Sequence, residues 1–394
     1  MLNSLRNLWA TGRFVMVLLA LYTGQASAQS QQKPHIKFVN VADSTQGLSG
    51  FSQFPAINNQ GEVAFLATQG TDQKVFKWDR RRLIAIASTA TAPYTSFSDD
   101  VVMNDAGVVG FRAALSIGQR GVGIFTSDGV ATRTIVNSAD QGFPGFGMGT
   151  PSINASGTVA FQAFTNGFRS NVIFTGDGGI ITPVLDTLTS DFDTFGAVAI
   201  NDSGKIVFDG IQKDGTEGIF LMKPSLMKRS RDGEGTNAGP ASVIDVLDTN
   251  SHPEFFQFGD PVINNAGVAA DFAAGGITLE VFSGNGKGIT ARNDPANHPF
   301  IDIEHPSINN HGAIAFSALE ANGDQDIFVE LTGKALLTPL LRTGDPLFGS
   351  TVAVLKVGRF AFNDRFQLAF EYELQDGRSG IAVASLLAEE GQDE

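Results

Sequence analysis

The chain has 394 residues, 42% of them hydrophobic and 17% charged, with a formal net charge of −14 and no cysteine. That composition is too apolar for a disordered chain and supplies enough hydrophobic surface for a large core. The absence of cysteine excludes disulfide staples, and the acidic balance works against nucleic acid and anionic lipid as partners.

Residues 1–28 read as a secretory signal peptide. Arg6 and Arg13 form the basic region, FVMVLLALYTG the short apolar run, and Ala26-Ser27-Ala28 the small-residue cleavage site. Cleavage leaves 25 basic against 41 acidic residues, a balance of −16. No second apolar run of spanning length follows, so the mature chain is expected to have no membrane span and to be exported, to the periplasm or beyond. Residues 29–35 are a linker.

From residue 36 the chain repeats itself. Seven segments align: PAINNQGEVAF, VVMNDAGVVGF, PSINASGTVAF, VAINDSGKIVF, PVINNAGVAADF, PSINNHGAIAF and FAFNDRFQLAF. Their asparagines are Asn58, Asn104, Asn154, Asn201, Asn264, Asn309 and Asn363, spaced 46, 50, 47, 63, 45 and 54 residues apart. Repeats of about 40–50 residues with strand-like alternation are the size of propeller blades. In each copy Asn begins a tight turn, and a glycine three residues later takes the left-handed conformation. Phe366 replaces that glycine in the seventh copy, so its turn is expected to differ. The fifth copy reads Asp271-Phe272 where the others have Phe, which suggests a bulge.

Each copy carries four strands, here a to d. Pro55, Pro151, Pro261 and Pro306 open strand a, while Pro183 and Pro339 fall in strand d, and strands b and c hold none. Proline belongs at edges and strand starts, so b and c are central. The last copy ends after strand c, and the chain begins with an orphan strand, HIKFVNVADS. The expected fold is therefore an all-β, seven-bladed β-propeller over 36–386, four antiparallel strands per blade, its last blade closed by the N-terminal strand. Residues 223–240, KPSLMKRSRDGEGTNAGP, form an insertion between strands c and d of the fourth copy, and 387–394 an acidic tail.

These copies resemble the tandem NxxGxxxAF repeat family of exported bacterial proteins, the choice-of-anchor type. The resemblance covers about residues 36–386 and implies export and a repeat scaffold. It implies no defined reaction.

Candidate site residues come from the loops. Aspartates recur at the end of strand d: Asp43, Asp140, Asp186, Asp248, Asp294 and Asp345. Capping of the loop backbone explains them, and an acidic ring that gathers cations or basic groups is the alternative. The d–a loops also carry aromatics, among them Tyr94, Phe97, Phe143, Phe146, Phe192, Phe255, Phe256 and Phe300. Asp140, Asp186, Phe192, Asp248, Phe256, Asp294, Phe300 and Asp345 thus mark the expected binding face. No catalytic triad, phosphate loop, dinucleotide fingerprint or metal-ligand spacing occurs, so no cofactor and no metal is expected. His252, His298 and His305 lie on neighbouring loops, and Asp302, Glu304 and His305 are the residues available to an enzyme. The sequence points to an exported, non-enzymatic binding or scaffold propeller that recognises a protein or glycan through its inter-blade loops. The alternative is a propeller hydrolase or lyase acting on an exported polysaccharide.

Overall fold

The computed structural model describes residues 36–386, apart from 53, 117–120, 139–142, 148, 224–241, 277, 294–299 and 332–336. The signal-peptide, linker and tail assignments fall outside the described residues, as does almost all of the basic insertion.

Seven antiparallel sheets follow one another along the chain. Blades 2 and 4 show the unbroken pattern. Blade 2 has strand a at Tyr94–Met103, b at Val109–Leu115, c at Gly121–Ser127 and d at Thr132–Asn137. Blade 4 has Phe192–Ile200, Ile206–Gln212, Glu217–Lys223 and Ser242–Asp248. In blades 1, 3, 5 and 6 strand a is split into two short pieces, such as Leu48–Ser49 and Ala56–Ile57 in blade 1. Blade 7 consists of Ser350–Lys356, Gln367–Leu374 and Ser379–Ser385, and its fourth strand is Lys37–Asp43. That N-terminal strand pairs antiparallel with strand c from Lys37↔Ser385 to Asp43↔Gly380. The chain's first strand therefore covers the edge that its last strand would leave open. The result is a seven-bladed β-propeller.

Phenylalanine builds the core. In five blades the Phe of strand b lies opposite the Phe of strand c, as in Phe65↔Phe76 and Phe208↔Phe220. Their rings stack with centroids 5.6–5.8 Å apart. Such pairs add about 0.5–1.5 kcal/mol beyond the area they bury. The d–a aromatics complete the same stacks. Phe192 packs on Phe195, Phe208 and Phe220, and Phe300 on Phe316 and Phe328. Phe192 is 4% and Phe300 9% exposed, so neither presents its ring to solvent as the loop positions suggested. Both fill the space between neighbouring blades.

Two expected irregularities are absent. Strands b and c of blade 5 pair without a break from Ala269↔Gly284 to Gly275↔Thr278, so there is no bulge at Asp271. Asp271 simply occupies the Phe position, opposite Phe282. In blade 7 the turn keeps its form: Phe366 takes the left-handed conformation itself, φ 54°, and its amide donates to the Asn363 carbonyl at 3.1 Å. Stacking on the His311 ring, 5.2 Å away and 9° from parallel, compensates for a side chain in a region that favours glycine.

Candidate functional site: the axial ring

The antiparallel order puts the a–b turns on one face of the ring and the d–a loops on the other. Strand a lines the axis, because residues of all seven a–b segments surround one axial bowl of about 160 Å³.

On the turn face the asparagines interlock. Each motif Asn accepts amides of its own turn through Oδ1, as Asn154 does from Ser156 at 3.1 Å and Thr158 at 3.0 Å. Its Nδ2 then donates to the backbone carbonyl of the next blade's Asn. The links run Asn58 to Asn104, Asn154, Asn201, Asn264, Asn309, Asn363 and back to Asn58, at 2.8–3.3 Å. The side chains are buried, so this polar ring clasps blades together. Around it, the next residue of each turn forms a second belt, Asn59, Asp105, Ala155, Asp202, Asn265, Asn310 and Asp364, exposed except at the half-buried Asn59 and Asp364. The floor of the bowl is closed by Phe360, whose ring packs against four separate inter-blade clusters and so sits on the axis.

Beneath Phe360 the chemistry changes. Four residues before the motif asparagines, the seven inner strands carry Phe54, Asp100, Thr150, Ala197, Asp260, His305 and Arg359. Four residues of strand cover about 13 Å, which carries this ring toward the d–a face. Its members touch one another. Thr150 Oγ1 donates to Asp100. His305 Nε2 lies 3.8 Å from Asp260, and its ring contacts Phe54 edge-on at 5.7 Å and Phe272 at 6.4 Å. Arg359, 5% exposed, crosses the axis and donates through Nη2 to the carbonyls of Val198 and Pro261, at 3.2 and 2.6 Å. Its guanidinium also lies over the Phe360 ring, 5.2 Å from the centroid.

Two more carboxyls join from strand b. Asp209, one residue past the Phe of blade 4, and Asp271, in the Phe position of blade 5, lie on the facing sides of these two blades. Burial pushes Asp209 up to about 7, and the Asp260 carboxylate adds to the rise. Burial likewise holds Asp271, 0% exposed, well above the carboxylate range, and Asp260 and Asp209 add to it. Burial also raises Asp100. Strand a gives way to these side chains: a Cβ on Gly196 would stand 2.1 Å from Asp209 Oδ2, and one on Gly259 2.6 Å from Asp271 Oδ1. Neither glycine has the positive φ that would demand it for backbone reasons, so each is there for close approach.

Seven buried side-chain polar atoms among the described residues lack a hydrogen-bond partner, and five belong to this cluster: Asp209 Oδ1, Asp271 Oδ2, His305 Nδ1, and Nε and Nη1 of Arg359. A small cavity of about 10 Å³ lies there, bounded by Phe54, Asp100, Thr150, His305, Arg359 and Phe360. Among the described residues no three His, Asp or Glu side chains are arranged to hold a metal ion.

The d–a residues named from the sequence are scattered by comparison. Asp186 and Asp248 cap their loops, accepting the Leu188 amide at 2.8 Å and the Asn250 and Ser251 amides at 2.9 and 2.8 Å. Asp345 accepts the Arg342 amide at 2.9 Å. Asp140 and Asp294 lie outside the described residues. Phe256 alone of the three candidate rings is open to solvent, at 62%. A groove of about 670 Å³ between blades 3 and 4 is lined by Asp186, Phe192 and Asp245. His252 contacts Glu254 at 3.1 Å, away from His305. Glu304 pairs with Lys356 at 2.6 Å, beside Glu371, which burial and Glu373 push up to about 7. Asp302 accepts the Ile303 amide and stays exposed. Of the enzyme candidates, therefore, only His305 belongs to the axial cluster.

Asp100, Thr150, Asp209, Asp260, Asp271 and Arg359 were not singled out from the sequence. Extending the repeat alignment four residues backward would have exposed the first, second, fourth and last of them, because that column varies in charge while the column after it stays apolar. Asp271 announced itself as the one carboxylate in the Phe column.

Comparison with known proteins adds a family and a fold. A model described as a family of unknown function (DUF7453) matches residues 57–319. The chain belongs to this family. Curated proteins give no match. Solved structures similar to this DUF7453 chain include peptidases. Prolyl oligopeptidase B from Galerina marginata superposes with a TM-score of 0.51 at 10% identity, over 87% of this chain and 47% of that one. A prolyl endopeptidase gives 0.50 at 9%, over 88% and 50%. The propeller domain of the trilobed protease from Pyrococcus furiosus gives 0.49 at 10%, over 74% and 84%. At these identities the likeness is of fold, and the chain spans about half the length of the prolyl oligopeptidases it matches. Among the described residues no helix is long and apolar enough to cross a membrane.

Proposed function

We propose that this chain is an exported, non-enzymatic recognition propeller that takes its ligand, a glycan or a protein group, at the axial end of the d–a face. The carrying observation is the ring of Asp100, Thr150, Asp260, His305 and Arg359, drawn from five blades onto one axis beside Asp209 and Asp271. A rigid scaffold that buries this many polar groups spends stability on them. Export rests on the signal-like first 28 residues and on the resemblance to the choice-of-anchor repeats. Phe256, Asp186, Asp248 and Asp345 then belong to the wider rim of the same face.

The test is to screen the immobilised protein against glycan and peptide panels, with one change on each face. Binding that falls with Asp260→Asn and survives Asp105→Asn, on the turn face, supports the reading. The reverse pattern sinks it.

One observation favours a second reading, a hydrolase or lyase acting on a polysaccharide. Asp209, a buried carboxyl raised to about 7 next to the Asp260 carboxylate, is poised as a general acid would be. Release of new reducing or unsaturated ends from a polysaccharide, lost in Asp209→Asn, would favour this reading over simple recognition.

A further inference from the structure

We propose that the axial cavity takes a hydroxyl group of a neutral, hydroxyl-rich molecule, a sugar or a polyol. This rests on the d–a reading above and narrows its chemistry.

The argument runs from the unpaired atoms. Arg359 is almost fully buried, and Nη2 is already committed to two carbonyls, leaving Nε and Nη1 as donors without acceptors. Asp271 is fully buried; Oδ1 takes the Phe272 amide at 2.8 Å and Oδ2 takes nothing. Asp271 and Asp209, whose Oδ1 is likewise unpaired, stand outside the cavity itself; Asp100, Arg359 and His305 line it, and His305 Nδ1 serves either way with its tautomer. Buried polar groups require partners, so the ligand must satisfy donors and acceptors together.

Charge decides among the ligand classes. A carboxylate or phosphate only accepts. It would suit Arg359 but would meet Asp100 in the same cavity, with Asp260 close by. An ammonium group only donates, and it would meet the Arg359 guanidinium. A hydroxyl donates and accepts from one oxygen and carries no charge, so it matches both halves of the cluster. Size agrees: about 10 Å³ is room for one water-sized oxygen and no more. The Phe54 and Phe360 rings wall the same cavity and offer apolar surface to the carbon that bears the hydroxyl. Asp260 and His305 are partly exposed, so the approach is from the d–a side, while Phe360 and Arg359 together form the floor of the bowl on the other.

The experiment uses the full chain, with binding read by saturation-transfer NMR and calorimetry. The probes are a set of neutral monosaccharides, the open-chain polyol sorbitol, and putrescine and acetate as charged comparisons. At least one neutral probe is expected to bind, and Asp100→Asn and His305→Gln should each weaken it by roughly tenfold, the loss of one buried hydrogen bond. Asp105→Asn should leave binding unchanged. Thermal melts verify that each variant is folded. Sorbitol against the ring sugars tells whether a cyclic frame is needed. If no neutral probe binds, the hydroxyl class is wrong; if putrescine or acetate binds instead and is weakened by the same changes, the hydroxyl class is wrong and the axial site stands. If a sugar binds and neither axial change affects it, the axial reading itself falls.

Discussion

The Nδ2 of Asn363 donates to the carbonyl of Asn58 at 2.8 Å, joining residues 305 positions apart and closing the asparagine ring across the two ends of the propeller. Asn363 also holds the Arg365 and Gln367 amides through Oδ1, at 3.0 and 2.9 Å. One side chain thus serves two purposes, a local turn and a blade-to-blade clasp.

That duality sets the first prediction. Asn154→Ala removes the acceptor of two turn amides and the donor to the Asn201 carbonyl, so it should cost about 2 kcal/mol, within the usual range for a buried group left unpaired. Asn154→Asp keeps the turn acceptor and sets an oxygen against the Asn201 carbonyl. If it destabilises as much as alanine in urea denaturation, the clasp dominates. If it is nearly neutral, the turn does.

The second prediction concerns closure. Deleting residues 36–43 strips strand c of blade 7 of its partner from Gly380 to Ser385. An exposed strand edge of that length invites pairing between molecules. The truncated chain should aggregate or melt much lower than the full one, as light scattering and thermal denaturation would record. A truncated chain that stays monomeric and melts like the parent would contradict the closure.

The third prediction follows from the raised carboxyls. Asp209 and Glu371 titrate at about 7 in the fold, against ordinary values near 4 in the unfolded chain. Between those values the folded state holds protons that the unfolded chain has released. Stability from these groups is therefore complete below about pH 4 and is lost as pH rises through 7. The melting temperature should fall between pH 5 and pH 8, and Asp209→Asn should flatten part of that slope. A wild-type melting temperature that rises across this window would show the two groups to be solvated.

Much of the architecture was legible because the repeat is local. Asn, Gly and Phe at fixed spacing define turn, strand and core within eleven residues, and the missing last strand pointed to His35–Ser44. What escaped was long-range. The Asn clasp joins residues at least 45 apart, so each copy by itself explains only the turn. Phe192 and Phe300 sit in loops by sequence, yet the geometry of neighbouring blades folds them into the stacks. Asp271 looked like a shift in the motif, and pairing shows a substitution in place. The axial ring was hidden because its seven residues share a position and no chemistry.

The last prediction tests the outer belt. In six of seven turns the amide after the motif Asn donates to the side chain of the same position in the next blade, as Asp202 does to Asn265 at 3.0 Å and Asp364 to Asn59 at 2.8 Å. The belt is broken once. The Asp105 amide is next to Ala155, which has no side-chain acceptor, although Ala155 itself donates to Asp202 at 2.7 Å. Ala155→Asn supplies the missing acceptor without disturbing that bond, and the position is exposed, so there is room for the side chain. The change should stabilise the propeller by about 0.5–1 kcal/mol, at the lower end for a net hydrogen bond because water competes at the surface. Asp105→Ala is the converse. It removes the carboxylate that takes the Asn59 amide at 2.9 Å and its Nδ2 at 3.0 Å, and it should destabilise by a similar amount. Urea midpoints for the two variants and the double mutant decide the matter. If Ala155→Asn leaves the midpoint where it was while Asp105→Ala lowers it, the belt is stabilised pair by pair and gains nothing from being closed.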